Sequence, residues 1–148
     1  MRCPLINELP PPPYGKTGWP WTISSTHILP QQPGGRPWPR LSIVTPSFNQ
    51  QPFIEETIRS VLLQGYPDLE YIIIDGGSTD GSIQIIKKYA RWLHYWVTDA
   101  DNGQSNAINK GFNKATGSLY GYTNSDDLYE QDALANIASQ FRENISLD

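Results

Sequence analysis

Cysteine is nearly absent. Cys3 stands alone in 148 residues, so no disulfide framework can hold the chain together. Long apolar runs are missing too: none approaches the roughly 20 residues that span a bilayer, and the opening "MRCPLINELPPPPYG" lacks the apolar stretch of a secretory leader. These absences predict a cytoplasmic protein whose membrane contact, where it occurs, is peripheral and at the inner face. Cations are in the minority, with 11 Lys and Arg against 15 Asp and Glu and a net charge of -4. A chain of that sign has no overall attraction for nucleic acid, and a polyanionic ligand would need a local patch or a metal ion. The length suits one ordinary domain of about 100–200 residues.

Proline, by contrast, is abundant and concentrated. Ten of the 13 prolines lie before Arg40, a density that excludes helix interiors and sheet centres. Residues 1–40 therefore read as a Pro/Trp-rich arm and residues 41–148 as the domain proper. Two readings of the arm stay open. It is a disordered polyproline-like leader, or it docks "TGWPW" onto the domain, as its three of five tryptophans suggest.

From Leu41 the pattern is regular. "LSIVTP" reads as a strand; Phe53, Ile54, Ile58, Val61 and Leu62 recur at helical spacing, with Pro52 suited to a first turn and Gly65 to a stop. "YIIID" is a second strand, followed by a helix marked by Ile83, Ile86 and Ala90 and opened by "STD" as capping residues. "HYWVTD", with His94 inside it, reads as a third strand. Ala107, Ile108, Gly111 and Phe112 share a helix face that Gly117 ends, "SLYGYT" is a fourth strand, and Leu134, Ile137, Ala138 and Phe141 mark a fourth helix. The alternation predicts an α/β fold, a mainly parallel sheet flanked by helices. Co-directional strands would bring "TPSFNQ", "DGGSTD", "TDADNGQ" and "TNSDD" to one sheet edge, where open α/β folds bind ligands.

The chemistry of those loops is suggestive one by one and no more. Asp75 ends an apolar strand and is either a turn-starting aspartate or a carboxylate awaiting a donor or cation. Gly76 and Gly77 permit close backbone approach or simply a tight turn. The stretch also resembles the nucleophile loop of haloacid-dehalogenase-type phosphatases, but position 77 is glycine where those need a second aspartate; neither a P-loop nor a G-x-G-x-x-G fingerprint is present. Asp126 and Asp127 are adjacent carboxylates that a divalent ion would reconcile. Alternatively "NSDD" caps a helix starting near Tyr129 to Gln131. Gly103, Gln104 and Ser105 open a helix that could receive a phosphate or sugar hydroxyl, or are ordinary capping. Lys110 and Lys114 read as solvated helix-face charges.

Taken in order, "LSIVTPSFNQ", "FIEETIRSVLLQGYPDLEYIIIDGGSTDGS", "DNGQSNAINKGFNKATG" and "NSDD" resemble the donor half of a family 2 glycosyltransferase with a GT-A fold, in particular bacterial members carrying "IDGGSTDG". The resemblance implies a hexosyltransferase-like enzyme of polysaccharide biosynthesis. It would perform metal-dependent, inverting transfer from a nucleotide-diphosphate sugar to a glycan or lipid-linked acceptor, with Mg²⁺ or Mn²⁺ as cofactor. It also implies site residues. Thr45, Pro46 and Ser47 would border the nucleotide with Phe48 and Asn49 beside them, and Asp75 would hold the base while Gly76, Gly77 and Ser78 leave it room. Gly103, Gln104, Ser105 and Asn109, together with Asn124, Ser125 and Asp126, complete the expected substrate contacts, and Asp126 and Asp127 are the expected metal ligands. Three positions depart from the pattern: Gly76 where many relatives have a second aspartate, Asn124 where a DXD element would begin, and Ile108 where some place an arginine. The general base is expected beyond Asp148, so the chain reads as an incomplete donor-binding domain. A non-catalytic nucleotide- or partner-binding module is the alternative. A nucleotidyltransferase is a weaker third, since "TPSFNQQ" has no basic residue.

Overall fold

A computed structural model describes residues 3–32 and 35–143, with side chains through residue 140. The Phe141 side chain lies outside what is described. The strands are β1 (Leu41–Ser47), β2 (Leu69–Asp75), β3 (Tyr95–Thr98) and β4 (Leu119–Tyr122); the helices are α1 (Ile54–Leu62), α2 (Ser82–Tyr89), α3 (Gln104–Phe112) and α4 (Ala133–Glu143). They alternate along the chain as the hydrophobic spacing predicts, and they make one four-stranded sheet in the order β3-β2-β1-β4. Every pairing is parallel, with Ser47 opposite Asp75 and Asp75 opposite Thr98, so the carboxyl ends of three strands meet in register.

The two central strands are buried along their whole length, and their middles, Ile43 and Val44 in β1 and Ile72 to Ile74 in β2, are apolar on both faces. Ile43, Tyr71 and Ile73 pack with α1, α2 and α4 through Ile54, Ile58, Ile86, Tyr89, Leu134 and Ala138. Val44, Ile72 and Ile74 turn the other way, against Ala107 and Phe112 of α3. Three helices thus cover one face and a single helix the other. That helix sits very close: a Cβ on Gly111 would lie 2.4 Å from Val44 Cγ1, so only glycine allows α3 to rest directly on β1.

Several local expectations are corrected. Gly117 does not stop α3, which ends at Phe112; it lets the chain pass β1, where a Cβ would meet Arg40 O at 2.7 Å. Ile137 is 39 % exposed rather than core. His94 precedes β3 instead of lying within it. Lys110 donates to the Ala100 carbonyl at 3.4 Å, and the Lys114 ammonium lies 5.1 Å from the centre of the Tyr95 ring, so neither is merely solvated.

The arm is folded against the domain. Trp21 is buried and its Nε1 donates to Glu56 at 3.0 Å, while Trp19 Nε1 donates to the Tyr129 carbonyl at 2.9 Å. The arm then runs past the end of α1, where Ser25 N–H donates to Leu63 O and Ile28 N–H to Gly65 O. Gly65 has φ +66° and a Cβ there would strike Thr26 O at 2.7 Å, so this glycine serves both the helix stop and the docking. The centre of the junction is Arg59, fully buried on α1. Its guanidinium donates to the carbonyls of Pro10, Pro20 and Trp21 at 2.9–3.0 Å and to Tyr89 Oη at 3.2 Å. Cys3 is buried nearby, and burial pushes its thiol up to about 12, leaving it an inert packing group.

At the opposite end of the sheet from the strand-end loops, Glu70 is 2 % exposed on β2. Burial alone would raise its pKa. Hydrogen bonds from Ser42 Oγ at 2.6 Å, the Thr116 hydroxyl and the Thr116 N–H at 2.8 Å outweigh burial; with His94 Nε2 3.6 Å away, they hold the carboxyl down at about 2. A group held below its unfolded value stabilises the fold at neutral pH and loses that contribution as pH falls from 4.5 toward 2. Chemical denaturation at pH 6 and pH 2.5 should therefore show Glu70→Gln losing about 2–3 kcal/mol less than wild type over that interval. Equal losses would mean that Glu70 is not the titrating group.

Candidate functional site

The loops that follow the strands enclose a cleft of about 560 Å³ at the carboxyl edge of the sheet, a size typical of ligand pockets. Pro46, Ser47, Phe48 and Gln50 supply one wall from the end of β1, and Gly76 the floor beyond β2. Asp101, Gly103, Gln104 and Ala107 come from the start of α3, and Asn124, Ser125 and Asp126 from the loop after β4.

The β1 and β2 loops are stitched together. Gly76 N–H donates to Ser47 O at 2.8 Å, Asn49 N–H to Ser78 Oγ at 2.8 Å, Thr79 N–H to Asn49 Oδ1 at 2.8 Å and Gln50 N–H to Ser82 Oγ at 2.9 Å. Asn49 adopts φ 52°, a left-handed conformation that asparagine tolerates. Within this tight frame Ser47 is 4 % exposed, yet its Oγ has no hydrogen-bond partner among the described residues. An orphaned buried hydroxyl costs about 1–3 kcal/mol, and a polar ligand atom in the cleft would satisfy it.

Asp75 is held from within the protein. It is fully buried; Oδ1 accepts the Ser78 hydroxyl at 2.5 Å, and Oδ2 accepts the N–H groups of Gly77 and Ser78 at 3.1 and 2.9 Å and the Thr98 hydroxyl at 2.8 Å. Both oxygens are thus occupied within the protein, and the side chain is not in the cleft wall. Asp75 ties the floor loop to β3.

No side chain caps α3. Gly103 holds the N-cap position at φ 96° and its N–H donates to Asp101 Oδ1 at 2.8 Å, so the Asp101 carboxylate stands beside the positive end of the helix where it meets the cleft. Gln104 Nε2 reaches across to Asn124 Oδ1, and Asn124 Nδ2 donates to Asp127 Oδ2 at 2.9 Å. Asp126 and Asp127 are exposed, and α4 begins only at Ala133, so neither carboxylate caps a helix. Among the described residues no group of three or more His, Cys, Asp and Glu side chains gathers as a metal cage. Two neighbouring carboxylates with open solvent access do suit a hard divalent ion that keeps waters and phosphate oxygens as its other ligands.

Nine of the expected contacts line the cleft: Pro46, Ser47, Phe48, Gly76, Gly103, Gln104, Asn124, Ser125 and Asp126. The others do not. Thr45 is buried behind the wall, hydrogen-bonded to Tyr71 Oη at 3.0 Å; Asn49, Asp75, Gly77 and Ser78 build the supporting loop. Ser105 and Asn109 are exposed on α3, and Asp127 stands beside the cleft with its carbonyl accepting from Thr57 Oγ1. Asp101, Gln50 and Ala107 were missed. The quoted "TDADNGQ" loop contained Asp101, and the signal that could have found it is a carboxylate just ahead of a helix start in a loop that must reach the sheet edge.

Known proteins share this arrangement. A family model described as Glycosyl transferase family 2 matches residues 42–146. TuaG of Bacillus subtilis (strain 168), named a teichuronic acid biosynthesis glycosyltransferase, is 36% identical over 99 residues, which cover 65% of this chain and 39% of TuaG. Among solved structures, S. aureus TarS in complex with UDP-GlcNAc superposes with a TM-score of 0.65 at 25% identity, over 72% of this chain and 32% of that one. The mannosyltransferase PcManGT from Pyrobaculum calidifontis, in complex with GDP-Man and Mn²⁺, gives 0.62 at 28% identity, over 70% and 32%. The chain thus spans well under half the length of each of these relatives.

Proposed function

The chain belongs to glycosyl transferase family 2, and from that membership we propose that its cleft is the donor site of a metal-dependent, inverting sugar transfer. The donor is a nucleotide-diphosphate sugar, and the acceptor a glycan or lipid-linked glycan met in the cytoplasm, at or near the inner membrane face. Residues 41–148 act as the donor-binding domain and residues 1–40 as its buttress. The observation that carries this reading is the unpartnered Ser47 hydroxyl, buried in a cleft whose floor is a glycine and whose far wall bears Asp126. The ligands seen in TarS and PcManGT support the same class of donor.

In the reaction proposed, the acceptor oxygen attacks the anomeric carbon and the bond to the diphosphate oxygen breaks. Configuration inverts, and the acceptor's proton passes to a general base that we assign to none of the described residues. Asp126 and Asp127 would hold Mg²⁺ or Mn²⁺, which supplies charge neutralisation for the departing diphosphate. This chain's own contribution is positioning: Ser47 and the uncapped start of α3 offer hydrogen-bond donors, and the stitched β1 and β2 loops keep the donor from shifting.

Titration of the chain with UDP and GDP, with and without Mn²⁺, tests the reading. Binding in the range of about 10 µM to 1 mM, strengthened by Mn²⁺, is the expected result, and no detectable heat with either nucleotide overturns it. Asp126→Asn together with Asp127→Asn should remove the Mn²⁺-dependent part of the affinity, roughly tenfold or more, without changing the melting temperature by more than a few degrees. Unchanged Mn²⁺ dependence would clear the pair of any metal role.

A further inference from the structure

Gly76 does not need to be glycine for its backbone. It is absent from the positive-φ residues, whereas its neighbour Gly77 has φ 86°. What position 76 needs is room: a Cβ there would lie 3.0 Å from Asp101 Oδ2 and 3.3 Å from Oδ1. Asp101, carried on the loop between β3 and α3, lays its carboxylate over the floor of the cleft where a side chain at 76 would stand. Its Oδ1 accepts the Gly103 N–H at 2.8 Å, and Oδ2 accepts no hydrogen bond among the described residues.

We infer that Asp101 is the residue that reads the base of the donor, its Oδ2 accepting a ring N–H over the bare backbone of Gly76. This rests on the donor-site reading above. A flat heterocycle fits the surroundings: the floor has no side chain, and the Phe48 ring on the cleft wall is 59 % exposed and free to stack. The chemistry narrows the base. An ionised carboxylate accepts and cannot donate, so it favours uracil and guanine, whose ring nitrogen carries a hydrogen, over cytosine and adenine, whose corresponding nitrogen is itself an acceptor. The same charge repels phosphate and leaves Asn124 and Ser125 as uncharged polar groups for the diphosphate.

The test is titration with UDP, GDP and CDP in the presence of Mn²⁺. Wild type should bind UDP or GDP about 10- to 100-fold more tightly than CDP, the factor expected for a hydrogen bond to a charged group. Asp101→Asn keeps an oxygen for Gly103 but turns an amide NH₂ toward the base. It should lose that preference and bind CDP at least as well as UDP. In an Asp101→Ala background, which should bind all three weakly, adding Gly76→Asp should return the preference, because the carboxylate is supplied from the other side of the same space. Gly76→Asp alone should weaken binding, since two carboxylates then compete for one place. If the Ala background does not fold, Asp101→Asn decides. A UDP-to-CDP ratio unchanged by Asp101→Asn, in a protein whose Mn²⁺-dependent binding still requires Asp126 and Asp127, overturns the role of Asp101 and leaves the donor site standing. Failure of wild type to bind any nucleotide overturns both.

Discussion

Arg59→Met is expected to release the arm and to cost about 3 kcal/mol of stability. Methionine preserves most of the stem packing, so the loss is polar. Three carbonyls lose their donor, those of Pro20 and Trp21 in buried surroundings and that of Pro10 in a partly buried one. Each unsatisfied buried acceptor costs about 1–3 kcal/mol, and the summed penalty exceeds what the guanidinium's own desolvation returns. The arm has an escape, however: it can lift away and let water solvate the carbonyls, so its docking energy caps the loss. Two readouts should move together. The denaturation midpoint falls, and trypsin cuts after Lys16, whose ammonium in the wild type lies 3.8 Å from Glu56 and above the Trp21 ring. Arg59→Lys should give only partial recovery, since a single ammonium cannot span three divergent acceptors. Wild-type resistance to trypsin in Arg59→Met would show that the tryptophans alone hold the arm.

Asp75→Ala is expected to be comparably severe and to abolish nucleotide binding as well. The carboxylate accepts two N–H groups and two hydroxyls in full burial. Removing it strands those donors, at about 3 kcal/mol or more, and frees the floor loop from β3. Thr98→Val removes one of the four bonds and should cost about 1 kcal/mol with nucleotide affinity nearly intact. A stable Asp75→Ala that still binds UDP or GDP would mean that the loop is held by its connections to the β1 loop alone.

The architecture could be read from the residues because its determinants are local and repeated. Central parallel strands must be apolar on both sides, and Ile72, Ile73 and Ile74 say so directly. The intervening helices show their buried stripes, although Ile137 marks a stripe wider than the face that α4 actually buries. Side-chain direction in the site was harder. Period-two alternation puts Asp75 on the same side as Tyr71 and Ile73, but it does not tell which groups a strand-end carboxylate meets there. Asp101 left no such trace. Its position depends on the space above Gly76, and a missing side chain reveals nothing about which distant group fills the gap. The role of the β4 loop was open to two readings, because Asn124, Asp126 and Asp127 are good helix starters wherever they stand; the late beginning of α4 removes the capping one.

The arm's attachments also impose an order of assembly. Trp19 meets the Tyr129 carbonyl 110 residues along the chain, and Ser25 meets Asp132 at a separation of 107. The contacts to Arg59 lie only 38 and 39 residues downstream and can form early, whereas those of Trp19 and Ser25 must wait for the segment that carries Tyr129 and Asp132. Proline density keeps the waiting stretch extended and unable to join a foreign helix or sheet.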